Sequence, residues 1–168
     1  IAAHQKFGKL PLSVVIAPAI SLASKGFKVY PELDKALKAK DKVLRKFPST
    51  KKIFFKGNKV LKLGDLLVQK DLSKTLNAIS KFGADGFYKG WVAKKIIKTN
   101  KYYGGLMTAA DLVKYNVKYR KTIKGKYKDN VIYSMAPPSS GGVHIVQILN
   151  IVENDNLGKL GPHHSKAI

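Results

Sequence analysis

The 168-residue sequence predicts a helix-dominated α+β fold. Apolar residues recur at helical spacing over most of the chain, which is typical of amphipathic helices that pack on a core. Two regions have short apolar runs around turn residues instead, at Gly57-Asn58 and at Lys128-Asp129-Asn130, and these indicate β structure. Hydrophobic residues make up 45% of the chain, enough for a core, and the length suggests one domain.

The N-terminal quarter predicts three helices. Residues 1–27 form two of them, separated by the segment from Gly8 to Pro11 and closed by Gly26. Residues 30–47 form the third, which we expect to end at Pro48 because proline cannot continue a helix. The residues expected to face the core are Val14, Val15, Ala19, Leu22, Ala23, Leu33, Leu37, Leu44 and Phe47.

The middle of the chain predicts a change to strands and back to helices. Residues 51–67 indicate a small hairpin and an extended strand. Asp71 is expected to cap the next helix, and Gly83 to close it. Residues 87–97 predict one amphipathic helix. Its expected buried residues are Tyr88, Trp91, Val92 and Ile96.

The last third predicts a capped helix, a β region and a final helix. Thr108 and Asp111 have the spacing of a capping box for a short helix that runs through Tyr115. Residues 117–135 look β-like, and residues 143–154 predict the final helix.

The chain carries a formal net charge of +22, from 32 Lys plus Arg against 10 Asp plus Glu. Such a charge attracts nucleic acid or other anionic partners. However, Arg45 and Arg120 are the only arginines, and the lysines are scattered rather than clustered. Because nucleic-acid recognition favours the bidentate fork of arginine, we interpret the charge as a general lysine-rich usage and expect no nucleic-acid partner. No apolar run approaches the ~20 residues of a membrane span.

The segment from Tyr133 to Gly142 is the most informative part of the sequence. Pro137-Pro138 stops a strand, and Ser139, Ser140, Gly141 and Gly142 stand directly before the final helix. The amides at a glycine-rich helix start could hold a carboxylate or phosphate of a substrate. Alternatively, the glycines let the helix pack tightly on a neighbour and no ligand is involved. The sequence favours this second interpretation, because it lacks the lysine and spacing of a phosphate-binding loop.

No group of residues forms a self-sufficient catalytic or metal site. The histidines are His4, His144, His163 and His164. No pair of them has a metal-ligand spacing with a neighbouring carboxylate, and there is no cysteine, so we expect neither metal nor cofactor. Ser139 and Ser140 do not lie in a G-x-S-x-G elbow.

The order of short motifs along the chain closely resembles the γ-glutamyltransferase family. The motifs are Phe7–Leu12, Pro18–Phe27, Gln69–Leu76, Phe87–Gly90, Gly104–Thr108, Tyr133–Met135, Pro137–Gly142 and Gln147–Asn150. The match covers essentially the whole chain, and an ordered set of this kind is highly specific.

The resemblance implies part of a glutathione hydrolase and γ-glutamyl transferase of the N-terminal-nucleophile class, whose parent fold has four αββα layers. Residues 1–168 would be a single segment of the large subunit of a self-cleaving precursor, truncated at both ends. The implied partners are glutathione or other γ-glutamyl compounds and the small subunit of the same precursor. The implied location is periplasmic or secreted, and no cofactor is implied.

The resemblance places the chemistry outside this chain. In the family, a threonine at the start of the small subunit attacks the γ-glutamyl carbonyl, with its own α-amine as base. The threonines of this chain are Thr50, Thr75, Thr99, Thr108 and Thr122. None of them lies in a Thr-Thr-His context, and neither arginine matches the family's carboxylate-binding arginine. We therefore expect no catalytic residue here and no activity from the chain alone. Two alternatives remain: a basic anion- or nucleic-acid-binding module, and a non-catalytic relative.

Overall fold

The computed structural model describes residues 1–160, which fall into two compact units. Unit 1 comprises Ile1–Asn116, and unit 2 begins at Val117. Helices make up most of the regular structure. Unit 1 contains two antiparallel sheets of two strands each, and unit 2 contains a third. The expected helix-dominated α+β class is confirmed.

The elements follow one another in a simple order. Unit 1 contains α1 (Ala2–Phe7), α2 (Leu12–Lys25), β1 (Phe27–Lys28), α3 (Pro31–Leu44), α4 (Pro48–Phe54), β2 (Phe55–Lys56), β3 (Lys59–Val60), β4 (Leu66–Leu67), α5 (Lys70–Phe82), α6 (Asp85–Tyr88), α7 (Gly90–Tyr102) and α8 (Ala109–Lys114). Unit 2 contains β5 (Ile123–Tyr127), β6 (Asn130–Ser134), α9 (Gly141–Ile151) and α10 (Leu157–Leu160).

The core of unit 1 forms where β1 pairs with β4. Phe27 lies opposite Leu67 in this antiparallel ladder. The pairing brings together a buried cluster of Val29, Leu37, Leu61 and Leu67. Partly buried apolar side chains of α3, α4 and β3 pack around this cluster. Its apolar burial is the main favourable term that holds these short elements together.

Gly26 makes the close approach of β1 and β4 possible. Its φ of 83° lies in the left-handed region, and a Cβ there would stand 2.7 Å from the Leu67 carbonyl oxygen. Only glycine meets both conditions without strain. The predicted stop of α2 at Gly26 is therefore also the point where the chain turns into the core.

Unit 2 is a hairpin with a helix on it. β5 and β6 pair antiparallel from Ile123 opposite Ser134 to Tyr127 opposite Asn130, and α9 packs against both strands. Gly125 lies under α9, because a Cβ on it would come within 2.8 Å of the Val146 side chain. The predicted β region is confirmed from Ile123 to Ser134, whereas residues 117–122 form no strand. The predicted final helix is confirmed, and α9 ends at Ile151 rather than Asn154.

Several boundaries predicted from the sequence are confirmed. The β2–β3 hairpin turns at Gly57-Asn58. Gly83, with φ of 59°, ends α5. Thr108 and Asp111 form a reciprocal capping box at the start of α8. Each of these features depends only on residues that are neighbours in the sequence, so the sequence alone predicts its position.

The third predicted helix, α3, ends at Leu44, before Pro48 as expected. The expectation that β structure begins at residue 51 is wrong, since Pro48 begins a further helix, α4, which runs to Phe54. Proline lacks the N–H that a first helical turn leaves unpaired, so it starts a helix as readily as it stops one. The turn between α3 and α4 leaves Phe47 43% exposed rather than buried.

Two further expectations in the middle of unit 1 are also wrong. Gln69, not Asp71, is the N-cap of α5, and no side chain caps that helix. The single helix expected over residues 87–97 is two helices, α6 and α7, because Gly90, the first residue of α7, takes a φ of 65°. The break leaves Trp91 42% exposed, although it was expected in the core.

The apolar stripe predicted on α2 is only partly buried. Ala23 lies in the core, whereas Val14, Val15 and Leu22 are each more than half exposed and Ala19 is exposed. The expectation that these four residues face the core is therefore wrong for the described structure. The less exposed side of α2 carries Leu12, Ile16, Ile20 and Ala23. Across residues 1–160, no helix is both long enough and apolar enough to cross a membrane.

We predict that Leu67→Ala will lower the free energy of unfolding by about 2–5 kcal/mol, because it opens a cavity in the buried cluster. Leu66→Ala is the matched control, since Leu66 is the neighbouring residue of β4 and is 57% exposed. Its expected loss is below about 0.5 kcal/mol. Denaturant titration of both variants measures the difference, and equal losses would place the core elsewhere.

Candidate functional site

The candidate site is the loop that joins β6 to α9. β6 ends at Ser134, and α9 starts at Gly141. The loop between them includes a cis peptide bond at Pro137-Pro138. It contains Ser139 and Ser140, and with the first two residues of α9 it makes up the segment Ser139–Gly142 that the sequence singles out.

Ser139 and Ser140 have different local roles. Ser140 occupies the N-cap position, but its side chain makes no capping hydrogen bond. The backbone N–H of Gly141 instead donates to Ser139 Oγ at 3.3 Å, and the His144 N–H donates to the Ser140 carbonyl at 3.0 Å. The Ser139 hydroxyl oxygen thus accepts a hydrogen bond from one of the backbone amides that a helix start leaves without a partner.

Gly142 is the point of closest packing in the loop. It is buried, and a Cβ on it would stand 2.2 Å from the Met135 carbonyl oxygen. Gly141 is different, because the nearest atom to its Cβ would be Ser139 Oγ at 3.5 Å. Of the two glycines, only Gly142 therefore lies tightly against Met135, the residue that follows β6. The sequence Gly-Gly does not distinguish these two roles, because the difference arises from tertiary contact.

The start of α9 has the electrostatics of an anion site. Its first turn contains no acidic residue. The amides of an uncapped first turn carry partial positive charge, which favours a carboxylate or phosphate. This geometry permits anion binding, while the contact of Gly142 with Met135 gives the same residues a purely structural use.

The other residues considered for chemistry lie in separate places. His4 Nε2 is 2.8 Å from the Leu10 carbonyl oxygen and so links α1 to the segment before α2. His144 is exposed on the first turn of α9. His163 and His164 lie outside the described residues. Within residues 1–160, no three His, Asp or Glu side chains come together as a metal site would require.

Thr108 and Arg45 are engaged in local structure. The Thr108 hydroxyl donates to Asp111 Oδ2 at 2.7 Å. That hydrogen bond, and then one from the Thr108 backbone N–H, lower the pKa of the Asp111 carboxyl below its ordinary value of 3.8. Arg45 pairs with Asp41 and stacks over the Phe55 ring, 5.1 Å from its centroid. Both side chains therefore stabilise elements of unit 1.

Comparison with known proteins finds relatives of the chain in one enzyme family. Residues 1–168 match the family model described as Gamma-glutamyltranspeptidase. The glutathione hydrolase proenzyme of Escherichia coli (strain K12) is 46% identical over 160 residues, which cover 95% of this chain and 28% of that protein. The acylase ACY 1 proenzyme of Pseudomonas sp. (strain SE83) is 38% identical over 163 residues, covering 97% of this chain and 29% of that protein.

A solved structure is similar over nearly the full chain. The crystal structure of Helicobacter pylori gamma-glutamyltranspeptidase aligns with a TM-score of 0.95 at 48% identity, covering 99% of this chain and 48% of that one. The chain thus spans less than a third of the curated relatives that it matches and about half of the solved chain.

We predict that Gly142→Ala will lower the free energy of unfolding by about 1–3 kcal/mol, because the new methyl group overlaps the Met135 backbone. Gly141→Ala is the matched control, and we expect it to be neutral or to stabilise by up to about 1 kcal/mol. Thermal and denaturant unfolding measure both. A similar loss in the two variants would mean that the junction does not depend on close packing at Gly142.

Proposed function

Because the chain belongs to the gamma-glutamyltranspeptidase family, we propose that it is part of an enzyme that cleaves γ-glutamyl amides. Glutathione and other γ-glutamyl compounds are the proposed substrates, and water or an amino acid accepts the γ-glutamyl group. The observation that carries this proposal is the family match over all 168 residues. The 46% identity to a glutathione hydrolase proenzyme supports it.

The proposed mechanism uses a threonine that is not among residues 1–168. Its hydroxyl oxygen attacks the γ-glutamyl carbonyl while its α-amine takes the hydroxyl proton. The α-amine then passes this proton to the amide nitrogen of the substrate, the C–N bond breaks, and an acyl-threonine ester remains while the substrate's amine leaves. Residues 1–168 are proposed as one segment of the large subunit of a processed precursor. Their proposed partner is the small subunit of that precursor, and the proposed location is periplasmic or secreted. The Escherichia coli relative is named a proenzyme, which supports the processing step.

We expect the isolated chain to be inactive and the processed precursor that carries it to hydrolyse γ-glutamyl-p-nitroanilide. We also expect the coding sequence to contain Thr-Thr-His downstream of Ile168. The second subunit should then begin at a threonine of that sequence. Release of p-nitroaniline and N-terminal sequencing of the subunits measure these results. Activity of residues 1–168 alone would overturn the assignment of the nucleophile, and an inactive precursor without that sequence would indicate a non-catalytic relative.

The acylase relative raises the question of which acyl group is accepted. Glutaryl-p-nitroanilide has the same chain length as the γ-glutamyl compound and lacks only the α-amino group. The proposed function requires the γ-glutamyl substrate to be preferred, because a site built for the α-amino group leaves polar groups unpaired when that group is missing. A preference for glutaryl would favour an acylase of other amides.

The segment Ser139–Gly142 is proposed to act as a strand-to-helix junction rather than as a substrate contact. We therefore expect Ser139→Ala and Ser140→Ala in the processed precursor to change KM for γ-glutamyl-p-nitroanilide by less than about twofold. Loss of a charge-assisted contact with a substrate carboxylate costs roughly 1.5–3 kcal/mol, or about tenfold or more in KM. A rise of that size with either variant would assign the loop to substrate binding.

A further inference from the structure

A groove in unit 1 combines an apolar floor with a row of unpaired lysines. It lies between α7 and α8 and has a volume of about 530 Å³. Ala93, Ile97, Ala109 and Val113 form its floor beside Tyr88. Cavities of several hundred cubic ångströms with apolar linings are the size and character of sites for small organic ligands.

The lysines follow one side of α7. Lys94, Lys98 and Lys101 line the groove at positions separated by four and three residues, which places them on one face of the helix. None of the three has a carboxylate partner among the residues that the structure describes. A further lysine at the rim, Lys89, is already paired with Asp85 at 3.0 Å. Of the lysines that line the groove, the three without a carboxylate partner among the described residues therefore all lie on α7.

The floor and the charge together define the chemistry of an occupant. The long stems of lysines can lie along apolar surface while their ammonium groups reach water or an anion. An inorganic anion would use the lysines but leave the floor unused, and a neutral apolar molecule would leave the lysines unused. Val113, at 55% exposed, shows that part of the floor is open to an incoming molecule.

We propose that the groove between α7 and α8 binds an amphiphilic organic anion, an acid group on an aliphatic body. The acid group lies among Lys94, Lys98 and Lys101, and the aliphatic body lies on Ile97, Ala109 and Val113. The proposal is independent of the γ-glutamyl activity, because binding is measured without turnover.

The test uses the processed precursor that carries this chain, with decanoate, hexanoate and acetate as probes in calorimetric titrations. Affinity should rise with chain length, by up to about fourfold for each methylene that the floor buries fully. 1-Decanol, which has the same body without the charge, should bind more weakly than decanoate. Equal affinity for acetate and decanoate would reduce the site to a general attraction of anions and overturn the proposal.

A matched pair of triple variants separates the groove from the net charge. Lys94→Gln, Lys98→Gln and Lys101→Gln together should weaken decanoate binding on the order of tenfold. Lys35→Gln, Lys40→Gln and Lys42→Gln on α3 remove the same charge from exposed positions and should change binding less than about twofold. Equal effects of the two triples, or no binding of decanoate by the parent protein, would overturn the proposal.

A single variant tests the floor. Ala109→Leu adds bulk to the exposed first residue of α8 inside the groove, without changing charge. It should weaken decanoate while leaving acetate unaffected. Circular dichroism and thermal unfolding of each variant serve as the check that the protein is folded. Undiminished decanoate binding by Ala109→Leu would place the aliphatic body elsewhere and overturn the proposal.

Discussion

The short ladder between β1 and β4 is the constraint on which unit 1 depends. It joins the segment after α2 to the segment before α5, and hydrogen bonds on both sides extend it. The Val29 N–H donates to the Asp65 carbonyl at 2.8 Å, and the Gln69 N–H donates to the Ala23 carbonyl at 2.9 Å. Buried backbone groups need such partners, and here the same bonds fix where Val29 and Leu67 meet. Two-residue strands are marginal alone, so the buried cluster and the ladder stabilise each other.

Local signals in the sequence predicted the local structure well. The Thr108 capping box, the Gly83 stop and the Gly57-Asn58 turn each depend on a few adjacent residues. The errors arose where one residue type has two uses, as with Pro48 at a helix start, or where a glycine changes the backbone direction, as with Gly90. Burial of Trp91 and Leu22 was overestimated because helical spacing alone does not say which apolar side of a helix the chain covers.

The candidate loop illustrates the same limit at the level of function. The sequence located Pro137–Gly142 and offered two interpretations for it. What separates Gly141 from Gly142 is the position of the Met135 carbonyl, which no local pattern contains. The groove between α7 and α8 could not be predicted from the sequence for a related reason. The spacing of Lys94, Lys98 and Lys101 is visible in the sequence, but the floor that α8 adds to it is a tertiary feature. The proposed activity therefore rests on membership of the family rather than on a site within this chain.

The packing of α9 on the β5–β6 hairpin has a consequence for how the chain acquires its structure. The two strands and the helix follow one another directly, so the contacts that order them span shorter stretches of chain than the pairing of Phe27 with Leu67 does. Such short-range contacts close small loops and form quickly. The β1–β4 ladder instead closes a longer loop, because α3 and α4 lie between its two strands in the chain. Unit 2 therefore has the topology of a fast-forming element, which can order without waiting for the slower closure of unit 1.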